Sequence, residues 1–497
     1  MMNPKQFYVL LIATILCACN NNDIPSSEPE PEPVSDVLAI STLSVTDIEA
    51  VAADSASWEI NMPYDTDLTA VPVTLTLDGR GAYIVGADSM DERSIVLDLS
   101  RPATITVADT IGGERSYTLS VYHGNLPMIY IETPAPILSK EEWVKKCSMT
   151  IVNAGESNIE LQKVQLKGRG NSTWNFPKKP YAVKLDSKTS LLGMPSHKRW
   201  CLLANWNDRT LLRNDVSFEV ARHFPALAWT PRGQFVEVTL NGEFMGNYYL
   251  CEQIKVAEAR VNITEMTSDD TEGEALTGGY LFELDTNYDE VNKFRTPYRK
   301  LPVNFKDPDE DVLTSEQFTY AYDYFSRIEA ILYGRAEGDI FDYIDIDSFI
   351  DWWLMHELVF NGEPQSPKSS YMYKDRGGLL CAGPVWDFDW GTLRPKEDVD
   401  WYIDKAIWYG ALLRLPRFRE RTKERWAMVR SGLDEIPAYI DTQAALISES
   451  VEANYAQWPM NITPNGDEQL SQPEAIERMK QAYNSRLAKL DILIEAL

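Results

Sequence analysis

KGRGNSTWNFPKKPYAVKLD, residues 167–186, is the stretch on which the reading of this chain turns. It opens with Gly168 and Gly170 on either side of Arg169. In such a turn the missing side chains let backbone N–H groups approach an anion, and the guanidinium offers a two-pronged fork. It closes on Tyr181-Ala182-Val183-Lys184-Leu185, an alternating strand with one lysine set into it. A lysine so placed is either a solvated guard on an edge strand or a phosphate ligand aimed into a cleft.

Residues 158–213 hold eleven lysines and arginines against three aspartates and glutamates. The whole chain has the opposite balance, 75 acidic against 47 basic side chains and a formal charge of −28 over 497 residues. That excess repels a phosphate backbone and argues against a nucleic-acid partner, while one basic island remains able to meet a smaller phosphate. Six cysteines in this length exclude a disulfide-dense scaffold, and four histidines without paired spacing give no zinc pattern. The 44% hydrophobic content is ample for a core, and the length predicts two or three domains.

A second constellation, PVWDFDWG at 384–391, sets Asp387 and Asp389 two residues apart among aromatic side chains. Burying both carboxylates is unfavourable unless a cation or hydrogen-bond donors satisfy them. In an extended segment both point to one side, as a pair of hard oxygen ligands for Mg²⁺ or Mn²⁺ does. In a turn both would accept from backbone amides instead, and the pattern leaves the two readings open.

Outward from these stretches, 125–284 reads as strands and turns, and the remainder takes helical periodicity, with the Trp-rich run 350–358 and long helices after Phe418. The expectation for 125–497 is an α+β domain of two lobes with a cleft between them. Before it, 37–124 has period-two runs such as Val71-Pro72-Val73-Thr74-Leu75 separated by Asp78-Gly79 and Gly112-Gly113, which predicts a small β-sandwich. That unit resembles the immunoglobulin-like modules of Bacteroides-type surface lipoproteins, as a spacer or adhesion module. Residues 20–36 alternate Glu with Pro and carry no basic residue, an extended solvated tether. Residues 1–19 place Lys5 before an apolar run that ends in Leu16-Cys17-Ala18-Cys19. The run is too short to span a bilayer and reads as a signal peptide. Its ending resembles a bacterial lipoprotein signal, which implies lipid on Cys19 and a membrane anchor in a cell envelope, outer membrane or cell surface, of Gram-negative type.

Six blocks occur in order: LPMIYIET (126–133), KGRGNSTWNFPKKPYAVKLD (167–186), WCLLANWNDRTLLRND (200–215), NGEFMGNYYLCEQIKV (241–256), GGYLFELD (278–285) and PVWDFDWG (384–391). Together they resemble the CotH kinase family, the spore-coat-protein-H-like atypical kinases. The resemblance implies a two-lobed protein-kinase-like fold and, in active members, Mg²⁺- or Mn²⁺-ATP-dependent phosphorylation of protein Ser or Thr, here on an envelope or surface protein. It implies that Gly168, Arg169 and Gly170 cover the phosphates and that Lys184 is the ATP lysine. Glu252 would take part in nucleotide binding or lobe packing. Asp387 would bind the metal, with Asp389 as second ligand or support. The helix opening at Arg213-Asn214 would play the part of the kinase αC helix, with Glu219 as one candidate partner of Lys184.

The catalytic loop departs from the family pattern, an Asn-x-Asp followed a few residues later by Asn. This chain has NGEPQSPKSSY at 361–371, with Glu363 in the place of the base and Lys368, Ser369 or Ser370 near the second metal-binding position. Glutamate is one methylene longer, and a protonated lysine ligates no metal. Three readings follow: a working variant with one metal, a nucleotide-binding pseudokinase, or a non-enzymatic surface protein that binds a glycan or protein or serves as structure. Cys147, Cys201, Cys251 and Cys381 read as buried thiols, with a disulfide after export as the alternative. His197 and His356, with no partner at metal-ligand spacing, read as structural or exposed. Trp352-Trp353 and Trp401-Tyr402 read as core packing, with sugar stacking as the alternative.

Overall fold

The computed structural model describes residues 37–155, 158–397, 399–460 and 465–497. The signal-like run, Cys19 and the tether 20–36 lie outside the described residues. The described chain is a mixed α+β protein, strand-rich to Asp307 and mostly helical beyond it.

The first unit comprises β1 (Ala39–Val45), β2 (Ile48–Glu49), β3 (Val51–Ala52), β4 (Ser57–Asn61), β5 (Val71–Asp78), β6 (Tyr83–Ile84), β7 (Ser94–Leu97), β8 (Ala103–Ala108) and β9 (Glu114–Tyr122). They form two sheets, ordered β2-β1-β5-β7 and β3-β4-β9-β8-β6, that face one apolar core. In β5, Val71, Val73 and Leu75 are buried while Pro72, Thr74 and Thr76 are exposed, the alternation of a strand with one face in water. The unit is seated on the next one through Tyr64, whose hydroxyl donates to Glu237 Oε1 at 2.8 Å, and through the Asn153 amide, which donates to Glu59 at 3.0 Å.

The second unit is a closed barrel of β10 (Met128–Glu132), β11 (Val144–Val152), β12 (Ile159–Gly168), β13 (Tyr181–Leu191), β14 (Met194–Leu203), β15 (Gly233–Leu240) and β16 (Glu243–Glu252). The order is β10-β11-β12-β13-β14-β16-β15, and a parallel pairing of β10 with β15 closes it. Tyr181, Val183 and Leu185 fill the interior beside Ile129, Ile151, Trp200 and Val236. The alternate residues of β14 and β16, namely Cys201, Leu203, Tyr249 and Cys251, belong to a different core, shared with the helical lobe. This wall is therefore buried on both faces, which is why 200–204 and 248–251 are apolar without interruption.

The helical lobe starts with α1 (Arg213–Arg222), which lies between β14 and β15 in sequence yet packs with the helices. It continues with β17 (Tyr280–Leu284), β18 (Lys293–Arg295), β19 (Pro302–Asp307), α2 (Ser315–Leu332), α3 (Ile346–Leu358), β20 (Ser370–Lys374), β21 (Leu380–Ala382), α4 (Tyr409–Leu412), α5 (Pro416–Val429), α6 (Ile436–Gln457) and α7 (Gln472–Glu495). The sheet order is β18-β19-β17-β20-β21. Capping boxes at Thr314 and Ser471 start α2 and α7. From Ser348 to Leu358 every residue of α3 is buried, so its charges are met by partners. Asp351 accepts from Arg425 Nε at 2.9 Å, and Glu357 accepts from the Tyr402 and Ile403 amides and pairs with Arg486. Trp352 and Trp353 are 2% and 0% exposed, so they pack the core and present no face to a sugar.

One buried cation ties the lobe together. Arg213 pairs with Asp208, lies 2.8 Å from Asp467, and donates from Nε to the Thr392 carbonyl at 2.8 Å. Three distant stretches thus meet on one 2% exposed side chain. Removing it takes away the cation that both buried carboxylates share. Arg213→Met is expected to lower the unfolding free energy measured in urea by about 3–5 kcal/mol, and Arg213→Lys to recover only part, because an ammonium lacks the planar fork.

Candidate functional site

Between the barrel and the helical lobe lies a cleft of about 860 Å³. The barrel contributes residues 167–173, Ala182, 203–207 and 253–255, and the helical lobe contributes Glu283, Asp285, residues 305–306, Glu363, 368–369, Tyr371, 386–387 and 389–390.

The glycine turn ends β12. A Cβ on Gly168 would sit 2.4 Å from the Trp174 ring, so this glycine makes room for an aromatic side chain; Gly170 has φ +79°, a conformation glycine accepts without strain. Arg169 projects into the cleft with its guanidinium 5.1 Å above the Trp386 ring. Burial works against its charge, but Cys201, Cys251, Asp387 and Tyr371 around it more than offset this and raise its pKa.

Across the cleft is 384–391, an irregular segment, so of the two readings left open by the sequence the extended one does not hold. Asp387 has φ +69°, a left-handed conformation that is unfavourable for a non-glycine residue and is held by its surroundings. Those surroundings are three asparagines. Asn214 Oδ1 accepts the Phe388 amide at 2.9 Å, Asn207 donates to the Asp389 carbonyl at 3.4 Å, and Asn465 donates to the same carbonyl at 3.1 Å while accepting the Gly391 amide at 2.8 Å. Phe388 is fully buried and meets Phe218 edge-on at 5.8 Å. The Ser369 hydroxyl donates to Asp387 at 3.4 Å. Asp389 is 7% exposed, and burial, then the adjacent Asp387 carboxylate, push its pKa far up, a cost to its charged form that a nearby cation would offset.

Glu363 opens a short turn at Glu363–Gln365, its amide donating to Asn361 Oδ1 at 3.0 Å. Burial raises its pKa to about 7, with the Asp387 charge adding to the effect and Lys368 opposing it. Asp285, which directly follows β17, accepts from the Asn287 amide at 2.7 Å and from the Ser369 amide at 3.3 Å. Beside it Glu283 lies 3.2 Å from Lys306, which also pairs with Glu290.

The sequence-predicted residues therefore divide. Gly168, Arg169, Gly170, Glu363, Asp387 and Asp389 all line the cleft. Lys184 does not: alternation that puts Val183 and Leu185 inside the barrel turns Lys184 to its outer surface, opposite Arg199. Partial burial and the charges of Arg199, Lys198 and Lys145 lower its pKa, the setting of one cation among others. Glu252 is fully buried beside the cleft and not in it, accepting from Arg232 Nε at 2.9 Å with Arg260 at 3.8 Å. Glu219 pairs with Arg222 of its own helix at 2.8 Å. Asn207 and Asn465 were not singled out from sequence; Asn207 stands within the block 200–215, and for Asn465 no local signal exists.

Among the described residues no three histidine, cysteine, aspartate or glutamate side chains converge to hold a metal ion. Asp387 and Asp389 form a two-carboxylate set. This suits Mg²⁺ or Mn²⁺, which take one or two carboxylates and complete their shell with water and substrate phosphates.

No curated protein matches the chain. Among solved structures, one similar chain is a protein provisionally named a glycoside hydrolase from Bacteroides thetaiotaomicron, at 15% identity and TM-score 0.17. The match covers 36% of this chain and 54% of that one, so about half of that protein's length is spanned. The profile of the family described as CotH kinase protein matches residues 166–490, which takes in the glycine turn, the three-asparagine clamp and the carboxylate pair. The chain belongs to the CotH kinase protein family.

Proposed function

We propose that this chain is an exported, lipid-anchored atypical kinase that transfers the γ-phosphate of Mg²⁺- or Mn²⁺-ATP to serine or threonine hydroxyls of a protein in a Gram-negative cell envelope. The observation that carries the reading is the clamped Asp387-Asp389 pair facing Arg169 across one cleft. The cleft lining holds eleven carboxylates against seven cationic side chains, so a bare nucleotide anion is repelled. A metal ion held by Asp387 and Asp389 supplies the charge neutralisation that phosphoryl transfer requires. Arg169 binds and orients the phosphates from the barrel side, with Lys368 opposite as a second cation. Glu363 takes the proton from the acceptor hydroxyl, since a carboxyl titrating near 7 is matched to that task at neutral pH. Residues 37–124 serve as an immunoglobulin-like spacer and 20–36 as the tether to acylated Cys19. A second reading, a nucleotide-binding pseudokinase, draws on Lys368 standing near the position of a second metal ligand.

In a thermal-shift measurement, millimolar Mn²⁺-ATP is expected to raise the unfolding temperature of the wild type and leave Asp387→Ala unmoved; at ligand near 100-fold its dissociation constant the native state gains about 2.7 kcal/mol. An unmoved wild type would sink both readings. Radiolabel transfer to an envelope extract should rise with pH through about 7 and fall by roughly 10²–10⁴-fold in Glu363→Gln. ATP-dependent stabilisation with no transfer leaves the pseudokinase.

Stability offers a check independent of substrate. The folded Glu363 carboxyl titrates near 7 against an ordinary 4.5, so the native state holds its proton more tightly than the unfolded chain does. That favourable contribution is present at low pH and is lost as pH rises from 4.5 through 7. Glutamine has no such loss. Glu363→Gln should match the wild type in unfolding temperature near pH 5, apart from a constant offset, and gain on it by pH 8, by up to about 3 kcal/mol.

A further inference from the structure

β14 and β16 run antiparallel with Cys201 directly opposite Cys251. Cross-strand partners have Cα atoms about 4.5–5.5 Å apart, inside the span a disulfide bridges. Both side chains are 0% exposed and both lie in the core that the barrel wall shares with the helical lobe, next to the Arg169 guanidinium. Neither is needed by the reading of the cleft given above. Their position in the chain is telling, because β14 runs on into 203–207 and β16 into 253–255, both of which line the cleft. These are the roots of two passages of the chain from barrel to helical lobe.

We propose that Cys201 and Cys251 are a redox couple that closes to a cross-strand disulfide under a two-electron oxidant of the peroxide or disulfide class, stapling those two roots together. The two sulfurs are electrostatically unlike. The Cys251 thiol donates a hydrogen bond to the Cys201 sulfur, and with Arg169, Arg260 and Arg199 nearby the Cys201 pKa falls to about 7 despite burial. Burial, then the bond to Cys201, hold Cys251 as the thiol. With peroxide, the Cys201 thiolate attacks oxygen, an S–O bond forms, the O–O bond breaks, and hydroxide leaves to become water. The Cys251 sulfur then attacks the sulfenic sulfur, an S–S bond forms, the S–O bond breaks, and the Cys251 proton leaves with the departing hydroxide as a second water. The sulfurs lose two electrons in all and the peroxide gains them.

The test uses the full chain, fully reduced and then exposed to hydrogen peroxide. The expected result is a loss of about 2 Da, a non-reduced digest in which the peptides bearing Cys201 and Cys251 are linked, and an unfolding temperature at least about 3 °C higher, all reversed by dithiothreitol. Cys381→Ala should behave as the wild type, and Cys201→Ala should lose both the link and the temperature rise. Linkage mapped to another pair, or free alkylation of both thiols in the denatured chain after oxidation, overturns the proposal. The digest of the wild type decides the matter without any variant, and because it needs no nucleotide its outcome is separate from that of the kinase assays.

Discussion

Everything around the cleft depends on keeping buried charge compensated, and Arg213 is where that requirement is most concentrated. Its guanidinium meets Asp208, Asp467 and the Thr392 carbonyl from three separate stretches. Next to it the asparagines 207, 214 and 465 use side-chain amides to satisfy the backbone of 388–391. With these partners in place an irregular segment can lie in the interior with its polar backbone paired, and Asp387 can be held at a positive φ. The carboxylate geometry is thus set by the amide side chains that hold the backbone on either side of it.

The electrostatics of the cleft are built from opposed walls more than from one basic pocket. Arg169 comes from the barrel, while Glu283, Asp285, Glu363, Asp387 and Asp389 come from the helical lobe. Placing several carboxyls together under partial burial raises Glu283, Asp285, Glu363 and Asp389 alike, burial first and like charge after. Such a site is short of positive charge until a cation arrives.

Local pattern in the sequence carried a good part of this and then ran out at identifiable points. The glycine turn and the carboxylate pair were legible because each is a short-range chemical signature, Glu363 only through the family resemblance, and the cleft unites all of them. The strand character of 181–185 was legible too, but period two says that alternate residues face opposite ways without saying which way is in; barrel closure decided that, and it turned Lys184 outward. Closure itself rests on β10 pairing in parallel with β15 across more than a hundred residues, for which no local pattern exists. The same holds for Asn465 and Asp467, whose contacts with 207–213 and 389–391 follow only from the tertiary arrangement.

The parallel closure of β10 on β15 also sets an order of assembly. Residues 128–131 must wait for 237–240 before the barrel has its last pair of strands, and the loop so closed is entropically unfavourable until its interior packs. The barrel leans further on the far end of the chain, where Asn454 of α6 accepts from the buried Lys178 Nζ at 2.8 Å and from the Asn247 amide. The clamp on 388–391 comes later still, because it needs Asn465. During synthesis from the N-terminus the two-sheet unit can therefore fold alone, while the cleft takes shape only once nearly the whole chain has emerged. A chain stopped short of residue 465 would carry the strands that line the cleft and still lack one of the three asparagines that clamp its carboxylates.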